Sequence, residues 1–88
     1  MNSPGVIVSC CYSEGRPGYY EKYADRLEAS LDRHALGIDR IIWRNGWPPG
    51  SPSHSQVHYA FKYWAMLDAF KKGYQYAIWL DAGTELIA

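Results

Sequence analysis

Val6 to Tyr12 reads VIVSCCY, a short apolar run rich in strand formers, and the SEGRPG behind it is turn chemistry with two glycines and a proline. This predicts a buried strand and a loop. From Tyr19 to about Ala35 the period changes: Tyr20, Tyr23, Leu27 and Leu31 recur at spacings of three and four. Glu21, Lys22, Asp25, Arg26, Asp32 and Arg33 fill other positions, as in an amphipathic helix, and Gly37 stands just past its end as a stop.

Ile38 to Arg44, IDRIIWR, has the length and β-branched content of a second strand. The NGWPPGSPS that follows carries three prolines and two glycines, which rules out helix and predicts a long loop. Ser53 or Ser55 is then a candidate N-cap for a second helix running to Lys72, with Gly73 as its stop. Val57, Ala60, Phe61, Trp64, Leu67 and Phe70 spread around that helix, so burial on more than one side is expected. Only a strip with His58, Lys62, Asp68 and Lys72 stays polar. Tyr76 to Asp81, YAIWLD, is the third strand. The order strand, helix, strand, helix, strand predicts an α/β fold: a three-layer βαβαβ arrangement on a mostly parallel sheet, with residues 1–88 forming one domain.

Composition narrows the partners. Nine basic and nine acidic side chains cancel, leaving no net positive field to gather phosphate backbones or anionic lipid, so nucleic acid is disfavoured. Four Trp and eight Tyr are a heavy aromatic load for 88 residues, and such rings serve either as core or as a stacking surface for sugars and bases. Cys10 and Cys11 are adjacent and would face opposite sides of a strand, which suits neither a mutual disulfide nor a metal clamp. Two buried thiols, no signal-peptide pattern and no apolar run of membrane-spanning length lead to the expectation of a cytoplasmic protein.

In open parallel sheets, ligands bind beyond the carboxyl ends of the strands. Three segments should meet there: YSEGRPG, NGWPPGSPSHS and DAGTE. Asp81, at the tip of an apolar strand, is the candidate acid; a turn-capping carboxylate is the bland alternative. Neither the dinucleotide glycine pattern nor the phosphate loop ending in Gly-Lys-Ser/Thr is present. His54 and His58 are four apart but have no third ligand at a recognisable spacing, and the cysteines do not sit on a nucleophile elbow. Lys62 shares a helix face with His58, from which a cation reaches a phosphate or carboxylate in the cleft.

Taken together, VIVSCCYSEG, YYEKYADRLEASLDR and HSQVHYAFKYWAMLDAFKKGYQYAIWLDAG resemble the amino-terminal half of a GT-A type glycosyltransferase of the nucleotide-diphospho-sugar transferase superfamily. The resemblance implies a Rossmann-like half-domain that is incomplete or truncated. It implies nucleotide binding by Tyr12 and Ser13 at the first loop, a basic contact from Lys62, and a ribose or metal contact from Asp81. In that family an Asp-x-Asp pair holds a divalent cation, Mn or Mg, that offsets charge on the leaving diphosphate. Here position 83 is Gly83, so the resemblance supplies only the first acid. The expected ligands are a nucleotide sugar and an unidentified acceptor. A different class of function is a non-enzymatic assembly module, a homo-oligomer joined through sheet edges left open by so short a chain.

Overall fold

The computed structural model describes residues 4–13, 20–35 and 37–82. Its elements are β1 (Gly5–Cys10), α1 (Glu21–His34), β2 (Asp39–Trp43), α2 (Ala60–Lys71) and β3 (Tyr76–Trp79). The three strands form one parallel sheet in the order β2-β1-β3. The result is a small α/β unit of a three-stranded parallel sheet and two helices, in the expected element order.

β1 is central because GVIVSC carries no charge and a single hydroxyl, that of Ser9, which pairs with Cys11, and all six of its residues are buried. Successive side chains of a strand point to opposite sides. Val6 and Val8 accordingly pack with Ala65 and Ala69 of α2, whereas Ile7 packs with Leu27 and Leu31 of α1. The same alternation runs through β2: Ile41 and Trp43 join the α2 cluster, and Ile42 joins that of α1. On the α1 side, Arg40 and Arg44 reach from β2 and its end to the acidic residues of the helix. Arg40 pairs with Asp32 at 3.0 Å, and Arg44 binds Asp25 at 2.8 Å and Glu28. The charged positions that mark the helix's outer face in the sequence thus also tie it to its neighbouring strand.

Two details of the helix ends differ from expectation, the cap after α1 and the start of α2. α1 stops at Ala35, its C-cap, whose N–H bonds to Leu31 O at 2.8 Å; Gly37 is not among the positive-φ glycines, so no left-handed cap is made there. α2 begins at Ala60, five residues beyond Ser55. Ser53 nevertheless acts as a cap. Its Oγ accepts the Gln56 N–H at 3.3 Å, and Gln56 Oε1 accepts the Ser53 N–H at 3.0 Å, a reciprocal capping box on a single turn. That turn does not continue because Tyr59 adopts φ 63, ψ 8, the left-handed region, and α2 restarts after it.

The end of α2 follows the sequence closely. Gly73 takes φ 100, its N–H bonds to Phe70 O at 3.0 Å and the Tyr74 N–H reaches back to Ala69 O at 3.4 Å, the pair of bonds that defines a Schellman stop. α2 is fully buried only at Ala65 and Ala69, against β1; Phe61 and Trp64 are half-covered by the preceding loop, while Tyr63 stays 66% and Phe70 47% exposed. Full burial on several sides, expected from its apolar composition, is not observed, because among the described residues no helix or strand covers the face of Tyr63 and Phe70.

The long loop from β2 to α2 is ordered by its prolines and glycine. The Ser51 N–H bonds to Pro48 O at 3.0 Å with Gly50 at φ 83, the arrangement of a type II turn with Pro49 and Gly50 at its centre. Pro48 is fully buried and anchors this loop. No helix among the described residues is long and apolar enough to cross a membrane.

Candidate functional site

A cleft of about 590 Å³ opens at the carboxyl ends of the three strands. Tyr12 and Ser13 enter it from the end of β1, Trp47 and His54 from the β2–α2 loop, Lys62 from α2, and Asp81 from just past β3. Tyr12, Ser13, Lys62 and Asp81, separate in sequence, are therefore brought to one cavity. The position follows from the parallel sheet, whose strands all deliver their following loops to one side.

The polar groups are each held by a definite contact. Ser13 is buried, its N–H donates to Glu21 Oε2 at 2.9 Å, and its Oγ accepts the Tyr20 N–H at 2.5 Å. The serine thereby ties the end of β1 to the start of α1, which leaves its hydroxyl proton as the one donor to offer a ligand. Asp81 is exposed, and its Oδ1 accepts the Trp79 indole N–H at 2.6 Å. Residues two apart on an extended segment share a side, which explains the pairing. Lys62 Nζ lies 5.9 Å from the centre of the Trp79 ring. Trp79 consequently stands between the site's acid and its base, bonded to one by its edge and facing the other.

Aromatic side chains make the rest of the wall. Tyr12 meets Trp47 edge-on at 5.0 Å, Trp47 stacks on Phe61 at 5.2 Å with 25° between planes, and Phe61 lies 6.0 Å from Trp79. At the rim the His54 and His58 rings stack at 4.8 Å, and Tyr59 meets His54 edge-on at 4.7 Å. The Tyr59 N–H donates to His54 Nδ1 at 3.0 Å, which assigns the neutral ring's proton to Nε2. The two histidines do come together, although from a turn before α2 and not from one helix face.

Cys10 lines the same cleft but is a poor nucleophile. Burial pushes its thiol up to about 11, only partly offset by a backbone hydrogen bond from Tyr12. Burial raises Cys11 as well, and both cysteines are free. Both thus behave as the buried thiols expected. Among the described residues, no three His, Cys, Asp or Glu side chains gather where they could hold a metal ion. Glu85 and Gly83 lie outside the described residues.

Trp47, Phe61, Trp79 and Tyr59 were not singled out as site residues by the sequence reasoning. Trp47 and Trp79 carry a signal, since Trp47 sits in the loop leaving a strand's carboxyl end and Trp79 stands two residues before Asp81; Phe61 and Tyr59 carry none. Compared with known proteins, the chain matches no family model, no curated protein and no solved structure.

Proposed function

We propose that the cleft binds a nucleotide sugar, as the nucleotide-sugar-binding part of a glycosyltransferase that moves a hexose from a nucleoside diphosphate sugar to an acceptor. The observation that carries this reading is the convergence of Tyr12, Ser13, Lys62 and Asp81 beside a wall of rings. Flat rings stack on a base or a sugar face. The Lys62 ammonium is a point charge for a phosphate, and Asp81 accepts from ribose hydroxyls. On this view the unit is a Rossmann-like, three-layer half of a GT-A domain, and the free thiols suit a cytoplasmic setting.

A divalent cation, Mn or Mg, belongs to the same proposal. One carboxylate together with diphosphate oxygens and water is a sufficient ligand set for a hard cation of this kind. Asp81 provides that carboxylate, with Oδ1 bonded to the Trp79 indole N–H. The cation would supply charge neutralisation for the leaving diphosphate.

Calorimetric titration with UDP-glucose and UDP-N-acetylglucosamine, with and without manganese, tests the proposal. Saturable binding that weakens by about tenfold or more in Asp81→Ala is expected. No binding of any nucleotide sugar would overturn it.

A second reading, an assembly module joined through sheet edges, is favoured by one observation. β3 is an edge strand whose sequence, YAIW, has neither charge nor proline, and Tyr76 and Ile78 on it are exposed. Mass that rises with concentration in light scattering, with no nucleotide effect on melting, would select this reading over the first.

A further inference from the structure

Tyr59 is the one described non-glycine residue with positive φ, and its ring is 69% exposed. A tyrosine in the left-handed region is strained relative to a glycine there. The ring is not part of the core: among the described residues its aromatic neighbours are His54 and Phe61, at the mouth of the cleft. The conformation is held by the Tyr59 N–H bond to His54 Nδ1, on the turn that the Ser53–Gln56 capping box begins. The effect is to present a flat phenol ring beside the stacked pair of His54 and His58, all three lining the cleft.

We propose that Tyr59, His54 and His58 form a subsite for a pyranose sugar. A pyranose has one face of C–H groups and a rim of hydroxyls, and the three residues offer the matching set. The exposed Tyr59 ring takes the apolar face. The His54 Nε2–H, left over once Nδ1 has accepted the backbone bond, donates to a hydroxyl, and His58 and the Tyr59 hydroxyl add further polar contacts.

The position is also right for a sugar carried on a phosphate. Tyr59 and Lys62 are three residues apart, and the Lys62 N–H bonds to Tyr59 O at 3.2 Å, so both side chains project from one turn. A phosphate at Lys62 leaves its sugar next to Tyr59. Only this last step rests on the nucleotide-sugar reading of the cleft; the subsite itself does not.

The test uses Tyr59→Gly and Tyr59→Asn, since both residues accept positive φ and so remove the ring without adding strain. Methyl β-glucoside, methyl β-galactoside and methyl β-N-acetylglucosaminide are titrated while the ring signals of His54, His58 and Tyr59 are followed by NMR. UDP and uridine are titrated separately. At least one glycoside should shift the rim signals saturably in the parent protein and bind about fivefold or more weakly in both variants. Melting temperature should stay level or rise in both.

Rim signals unmoved by every glycoside, unchanged glycoside binding in the variants, or lowered melting in both variants would each overturn the subsite. Rim shifts produced by uridine and by no glycoside would overturn it too. Glycosides at the rim with no UDP binding would sink the nucleotide reading and leave the subsite standing; UDP binding with a silent rim would do the reverse.

Discussion

Gly5 and Tyr76 are register partners across the β1–β3 ladder, and a methyl group at Gly5 would lie 2.0 Å from Tyr76 Cε2, 2.5 Å from Cζ and 2.6 Å from Cδ2. The tyrosine ring therefore lies across the glycine, a common way for a sheet to cover a strand position without a side chain. Ordinary carbon contacts are about 3.5–4.0 Å, so in Gly5→Ala the ring must swing aside by roughly 1.5 Å. Tyr76 is 53% exposed. About 100 Å² of a tyrosine's area is then covered, worth about 2.5 kcal/mol at 25 cal/mol per Å², and the swing forfeits on the order of half or more.

Against this loss stands a gain of about 0.5–1 kcal/mol from replacing glycine by alanine in a strand. Gly5→Ala should thus destabilise the protein by about 0.5–1 kcal/mol. In a Tyr76→Ala background the clash is gone, and the same substitution should stabilise by about 0.5–1 kcal/mol. Urea unfolding of the four proteins of this cycle measures the coupling, expected at roughly 1–2 kcal/mol. Additivity within about 0.5 kcal/mol would refute the reasoning. The register at stake also aligns Val8 with Trp79, and with it sets where Asp81 enters the cleft.

Leu27 is fully buried against Ile7, so Leu27→Ala should cost about 2–5 kcal/mol and lower the calorimetric Tm by more than about 10 °C. Arg44→Met removes the contacts to Asp25 and Glu28 on a half-exposed clamp; a loss of roughly 1 kcal/mol is expected, smaller in 1 M salt than at low salt by parallel urea melts. For Cys10, the folded value of about 11 lies above the ordinary 9.0. Its contribution to stability is therefore full below about pH 9 and is lost as pH rises toward about 11, so urea melts across that window should show falling stability. At pH 8 the native Cys10 should also carry about a hundredfold less thiolate than in the unfolded chain, and a chromogenic disulfide reagent should react fast only after denaturant is added.

The legible parts of the fold were those written in local chemistry. VIVSCC at the centre, the three-and-four spacing of α1 and Gly73 at the end of α2 all appear where the sequence predicts, since each depends on neighbours a few residues away. The start of α2 was not legible for a specific reason. Ser53 does act as a cap, with Gln56 as its reciprocal partner, but Tyr59 takes a backbone conformation that its side chain disfavours, held by His54 in a way that no propensity encodes.

The site divides along the same line. Tyr12, Ser13, Lys62 and Asp81 meet in one cleft because a parallel sheet delivers the segments at its strand ends to one side, where the start of α2 also lies. Trp79 was missed because an apolar residue at a strand end reads as core, and only the 2.6 Å bond to Asp81 reveals its second role. Trp47 and Phe61 depend on a long loop folding back over α2, a matter of Pro48 burial and the turn at Gly50.

Two of the four tryptophans, Trp47 and Trp79, line the cleft, and Trp43 and Trp64 do not. The most direct test of nucleotide-sugar binding at this place is therefore a titration of UDP-sugars followed by the four indole N–H signals. The account predicts that Trp47 and Trp79 move together along one saturable curve while Trp43 and Trp64 stay still. No movement of the Trp47 and Trp79 signals, or movement confined to Trp43 and Trp64, would contradict it.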